Sequence, residues 1–249
     1  MAEPNPTAGV IIIGNEILSG KTQDTNLQFI GQKLAELGIR LEQAIVIPDI
    51  EATIIATVND YRARYRYVFT TGGIGPTHDD ITSACVAKAF GVALVKHPEA
   101  VRRLERAYQR AGLSDERMKM AEVPDGASLV DNPISQAPGF QMENVFVLAG
   151  IPSVARAMFD SLAPTLQGGP AIIAQSVDGY LAESTLAKQL GTIDEQFPNV
   201  EIGCYPFFRN QRFGANVVAR GTTASEVHEV IDLVFALMEE LGGEPERPD

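Results

Sequence analysis

Three times in succession this sequence runs a short, unbroken stretch of β-branched or aromatic residues into a segment with apolar residues at helical spacing. Residues 9–13 read G-V-I-I-I, residues 44–47 read A-I-V-I and residues 67–70 read Y-V-F-T. A continuous apolar run such as 9–13 is expected of a strand covered on both faces, whereas residues 39–47 read as a strand that alternates partly at its start and ends apolar. Behind them come Leu27, Ile30, Leu34 and Leu37, then Ile54, Ile55, Val58 and Tyr61, then Ile81, Ala84, Cys85 and Ala89. Strand–helix repeats of this kind specify a mostly parallel sheet with right-handed crossovers and helices packed on it. Gly38 suits the left-handed residue after the first helix, and 51–64 is expected as the second.

The pattern loosens downstream. Residues 92–95 form a short apolar segment, 98–111 an amphipathic helix with a solvated arginine face, and 114–121 a shorter helix. Two strand segments, 127–130 and 140–148, flank a polar, turn-rich loop at 131–139, and Glu143-Asn144 splits the second into a hairpin. Pro152 suits the first position of a further helix. The Gly-Gly-Pro run at 168–170 marks a boundary, so residues 1–168 are expected as one domain and 169–249 as a second. Beyond it the order changes to strand (171–177), helix (183–190), hairpin (200–208 and 213–219) and helix (223–241), a small α+β module. Residues 242–249 are expected to fray.

The chemistry concentrates at Thr71-Gly72-Gly73-Ile74-Gly75-Pro76-Thr77-His78-Asp79-Asp80, which follows the third strand. Strand, glycine turn and helix start let backbone N–H groups converge on an anion. Asp79 and Asp80 would repel a bare phosphate, a conflict removed if a divalent cation bridges carboxylate and phosphate oxygens. The same residues also fit a capping box, Thr77 as N-cap and Asp80 three residues on. The loop after the first strand presents Glu16, Ser19, Asp24, Thr25 and Asn26 where open α/β sheets bind ligand. Asp24 also suits the N-cap of the first helix. Asp49, at the end of the second strand, is an N-cap by local sequence and a ligand group by position. The spacing disfavours a P-loop: five residues separate Gly14 from Gly20-Lys21-Thr22 where the motif has four, and the position that should be glycine is Asn15.

A net charge of -12 argues against nucleic acid or an anionic membrane as the main partner. Cys85 and Cys204 have neither disulfide-framework nor metal-ligand spacing. The start of the chain lacks the basic and apolar regions of a signal peptide, and no apolar run has transmembrane length, so a cytoplasmic protein is expected.

Laid out in this way, the chain resembles the molybdopterin-binding domain family, and within it the amino-terminal part of the CinA-like, competence/damage-inducible proteins. The resemblance rests on I-G-N-E-I-L-S-G-K-T-Q-D-T-N (13–26), T-G-G-I-G-P-T-H-D-D-I-T (71–82), A-P-G-F (137–140) and G-I-P-S (150–153). It implies a three-layer α/β/α fold followed by the small α+β domain. It further implies a phosphorylated small-molecule ligand, a pterin phosphate or an adenine nucleotide. On the family pattern Asp49 and Asp80 are the functional aspartates, with Asp79 beside them as a third metal-binding acid. Gly72, Gly73 and Gly75 match the family's glycine loop. Gly14, Asn15, Glu16, Ser19, Asp24, Asn26, Thr71, Pro76, Thr77, Ser135, Pro138, Gly139, Gly150 and Pro152 complete the expected ligand-binding set. The implied activity is hydrolysis of a nucleotide pyrophosphate such as ADP-ribose or FAD, dependent on a magnesium- or cobalt-like cation. Binding or adenylylation of molybdopterin, and non-catalytic nucleotide binding, are the alternatives. A homo-oligomer, dimer or trimer, is implied as well. Asn15 stands where these proteins carry aspartate, and Ala149 where proline precedes the glycine. The carboxy-terminal amidohydrolase domain of full-length CinA has no counterpart in these residues, so deamidase activity is not expected.

Overall fold

A computed structural model describes residues 5–108 and 112–248. The chain divides between Gly169 and Pro170 into two compact units. In the first, β1 (Thr7–Ile13), α1 (Asn15–Leu18), α2 (Asn26–Glu36), β2 (Arg40–Ile47), α3 (Glu51–Arg64), β3 (Tyr67–Thr71) and α4 (Thr82–Phe90) follow in order. An excursion comes next: β4 (Leu94–Lys96), α5 (Pro98–Ala107), α6 (Asp115–Met118), a 3-10 turn at Lys119–Ala121 and β5 (Glu122–Pro124). The unit closes with β6 (Ser128–Val130), β7 (Gly139–Met142), β8 (Val145–Leu148) and α7 (Pro152–Leu162).

The main sheet has the order β2-β1-β3-β8-β7-β6. β2, β1, β3 and β8 run parallel, and β7 and β6 extend the sheet antiparallel. Successive residues of β1 point to opposite faces. Ile11 and Ile13 pack with Ile54 and Val58 of α3 and with Cys85 and Val86 of α4. Val10 and Ile12 pack with Ile30 and Leu34 of α2 and with Val154, Met158 and Phe159 of α7. The result is a three-layer α/β/α unit. Phe69 sits at its centre, its ring centroid 5.2 Å from that of Phe146 and 5.3 Å from that of Phe159.

Several local expectations need correction. The strand expected at 39–47 forms as β2, an edge strand in which only Ile47 is buried. The loop after β1 contains the short helix α1. The helix from Pro98 is assigned to Ala107, and its expected end at 109–111 lies outside the described residues. Residues 122–124 form a strand, paired antiparallel with β4, that their composition did not announce. Gly38 does close α2: the Gly38 N–H donates to Ala35 and the Ile39 N–H to Leu34.

The second unit comprises β9 (Ile173–Gly179), α8 (Glu183–Gln196), β10 (Glu201–Arg209), β11 (Arg212–Gly221) and α9 (Ala224–Glu240). Its antiparallel sheet, ordered β10-β11-β9, packs against both helices around Val177, Leu186, Val217 and Val230. The segment after α9 does not fray as expected. Glu246 exchanges backbone hydrogen bonds with Asp178, and Glu244 pairs with Arg212. No helix among the described residues is long and apolar enough to cross a membrane.

Candidate functional site

The loops after β1, β2, β3 and β8 meet at one end of the sheet, where parallel strands deliver their carboxyl ends. Beyond β1, the Gly14 N–H donates to the Ile47 carbonyl at 3.1 Å. The Asn15 N–H donates to Asp49 Oδ2 at 2.8 Å. Asp49 is therefore not the cap of α3, whose N-cap is Ile50 with no side-chain bond; its carboxylate reaches sideways to the neighbouring loop. The N-cap of α2 is Thr25 rather than Asp24, but Asp24, one residue ahead, accepts from the Leu27 N–H at 2.9 Å and satisfies a donor of the first turn. Asp24→Ala should cost about 1 kcal/mol of stability, read as a lower urea midpoint at unchanged m value.

Gly72 is the crossing point. Its N–H donates to the Leu148 carbonyl at 3.2 Å, and its φ is 102°. A Cβ there would lie 2.1 Å from the Ile13 carbonyl oxygen. Gly150 packs directly over it, and Asn26 Nδ2 donates to the Gly150 carbonyl at 2.8 Å. Asn26 is 3% exposed, and its Oδ1 has no hydrogen-bond partner among the described residues. A buried acceptor left without a donor marks a place for water or ligand. The N–H groups of Gly73, Ile74 and Gly75 likewise donate to no protein atom among the described residues. Three consecutive unpaired amides at a strand's carboxyl end are the donors an anion-binding loop uses.

The acids close the loop. Thr82 opens α4, donating its hydroxyl to the Gly72 carbonyl at 3.0 Å and its N–H to Gly73 at 2.9 Å. The capping box expected from Thr77 and Asp80 does not form, since α4 starts at Thr82 with Ile81 as N-cap. Instead Asp80 Oδ2 accepts from the Thr77 N–H at 2.8 Å and lies 2.5 Å from its hydroxyl oxygen. Asp79 Oδ1 is 2.6 Å from the same oxygen. A hydroxyl has one proton, so the two carboxylates compete for a single donor. The Thr77 hydroxyl, Asp79's own N–H and the charges of His78 and Lys119 hold the Asp79 carboxyl below its ordinary range. The depressed carboxyl is ionised throughout the neutral range, and its favourable contacts are lost only as the pH falls through that lowered value.

Lys119, from the 3-10 turn, donates to the Thr77 carbonyl at 2.5 Å. It lines a narrow hollow with Gly75, Asp80, Ser83, Ala84 and Glu122. No sequence spacing pointed to Lys119 or Thr82; the excursion after α4 brings the lysine back to the loop.

The other expected residues divide. Glu16, Ser19, Pro76 and Pro152 are exposed or partly exposed, Ser19 donating to the Glu16 carbonyl. Thr71 is buried at the end of β3. Ser135 accepts from Asn132, a nearly buried side chain that organises the 131–139 loop and that the sequence reading passed over. Pro138 and Gly139 are buried at the start of β7, where a Cβ on Gly139 would meet the Val147 carbonyl at 2.3 Å. Packing alone accounts for that glycine.

Asp49, Asp79 and Asp80 do not form a ready-made metal cage. No group of three His, Cys, Asp or Glu side chains among the described residues is placed to hold an ion. One oxygen of Asp49 is engaged by Asn15, while Asp79 and Asp80 converge on Thr77. That arrangement fits a magnesium-like ion arriving with phosphate oxygens, which needs one or two protein carboxylates, and does not fit an all-protein site.

Residues 9–168 match the family model described as a probable molybdopterin binding domain, and residues 171–243 match the FAD synthase middle domain. A protein of Aeropyrum pernix is 35% identical, the alignment covering 99% of each chain. A CinA-like protein of Gloeobacter violaceus is 30% identical over 96% of this chain, which spans 58% of that protein's length. The solved structure of a CinA protein of unknown function from Thermoplasma acidophilum aligns with TM-score 0.61 and 31% identity, over 66% of this chain and 99% of that one.

Proposed function

The chain belongs to the molybdopterin-binding domain family, with CinA-like proteins among its relatives, and we propose that its first unit holds and hydrolyses a nucleotide pyrophosphate of the ADP-ribose or FAD type. The three unpaired amides of Gly73, Ile74 and Gly75 carry this reading, since they leave an anion three consecutive backbone donors. Phosphate oxygens accept from these N–H groups. Asn26 Oδ1 takes a donor from the ligand, and Asp49 holds the Asn15 loop against the site. Asp80 and Asp79 are the carboxylates that would hold a divalent cation at the site. A divalent cation, magnesium- or cobalt-like, supplies Lewis acidity to the phosphoanhydride when bound. Hydrolysis adds one water across the P–O–P link and turns ADP-ribose into AMP and ribose 5-phosphate.

A second reading, binding of a pterin phosphate on the same amides, is favoured by the family description itself. The test is incubation of the purified chain with ADP-ribose, FAD, NAD or ATP, with magnesium or cobalt and with EDTA. AMP should appear from ADP-ribose or FAD only when metal is present. Tight binding of these nucleotides without AMP would reduce the site to a binding module, and binding of molybdopterin alone would favour the second reading.

A further inference from the structure

We propose that Lys119 is a phosphate-binding residue of this site, an ammonium that allows the loop to take an anion without a metal. The proposal rests on the reading of the glycine loop as a phosphate site and assigns the charge that reading lacks. Asp79 and Asp80 place two carboxylates on one hydroxyl, a few atoms from the open amides. A ligand phosphate approaching them meets like charge on a chain of net charge -12.

Lys119 is the cation that stands at that spot. Its Nζ is 2.5 Å from the carbonyl of Thr77, the residue whose hydroxyl both acids share. Of the three N–H donors of an ammonium, that contact uses one. On the other side the lysine borders the hollow shared by Gly75 and the first turn of α4. Its backbone is anchored on the carboxyl side: Ala121 is fully buried against Leu104, the Ala121 carbonyl accepts from the His97 N–H at 2.9 Å, and β5 pairs with β4 immediately afterwards. A flexible side chain on a fixed turn can hold the Thr77 carbonyl and still present charge to a phosphate. The division of labour is then clear: Lys119 and the amides bind, and the acids recruit the cation needed for cleavage.

Titration calorimetry with inorganic pyrophosphate in EDTA tests this. The wild type should bind. Lys119→Gln keeps an N–H for the Thr77 carbonyl but removes the charge, and should weaken binding by about 10- to 100-fold, the range of a hydrogen bond to a charged group. Lys119→Arg should restore most of the loss. If Lys119→Gln binds like wild type, the lysine only props the loop and the proposal is overturned. It is overturned equally if wild type binds pyrophosphate with magnesium but not in EDTA. Wild type that binds no pyrophosphate with or without magnesium would instead sink the phosphate-site reading, and this assignment with it.

Discussion

Gly72→Ala is expected to destabilise the first unit by about 3 kcal/mol or more and to abolish pyrophosphate binding in whatever fraction remains folded. Two costs combine at this position. A φ of 102° is poorly tolerated by an L-residue with a side chain, a strain of about 1–3 kcal/mol. The added methyl must also occupy a point 2.1 Å from the Ile13 carbonyl oxygen, so either β1 or β3 has to move. Movement is costly because Gly72 is tied on three sides: to Leu148 through its N–H, to Thr82 through its carbonyl and to Gly150 by direct packing. Gly20→Ala separates the two costs. Gly20 also has positive φ, 71°, but its Cβ would meet nothing within 4 Å, so the change should cost only about 1 kcal/mol. Equal losses of melting temperature in the two variants would show that the contact with Ile13 is not tight, and the crossing of loops at Gly72 would lose its argument.

The parts that were legible in the sequence are those where burial writes a period into the chain. β1 and β3 lie inside the sheet, so nearly every position is buried and their runs are dominated by β-branched and aromatic residues, and the helices between them repeat at 3.6 residues because one side faces that sheet. The exposed edge strand β2 showed only its apolar end, β4 only a short apolar segment, and the three-residue strand β5 is too short to leave any trace. The glycine loop was legible for a different reason, since three glycines with a proline exceed the needs of a turn. What the acids do there was not. Thr77 and Asp80 have the spacing of a capping box, and the side-chain contacts that spacing suggests do form, but they close on a turn that ends before the helix begins. Local spacing specifies which groups can meet without specifying which backbone they cap. Asp49 makes the same point across space: its partner is Asn15, on the neighbouring strand's loop, through a pairing that only the parallel register of β1 and β2 creates. Lys119 was illegible altogether because its approach depends on the whole excursion from β4 to β5.

Asp80→Asn should lower metal-dependent AMP release from ADP-ribose by about 100-fold or more, the scale on which a positioned acid–base or metal-holding group contributes. Binding of pyrophosphate in EDTA should be unchanged or tighter. The two effects part because the substitution is nearly isosteric. Asparagine keeps a carbonyl oxygen for the Thr77 N–H, now 2.8 Å from Asp80 Oδ2, so the loop retains its shape. It also removes one of the two negative charges next to the open amides, which relieves repulsion of the phosphate. Only the shared coordination of a cation is lost. Asp49→Ala offers a contrast, because it removes the oxygen that accepts from the Asn15 N–H and shapes a neighbouring loop; on this geometry it should weaken binding and turnover together. Turnover by Asp80→Asn at the wild-type rate would trace the activity to a contaminant or to another part of the chain. Loss of binding together with turnover would make Asp80 a structural latch on Thr77, leaving the cation to be held elsewhere.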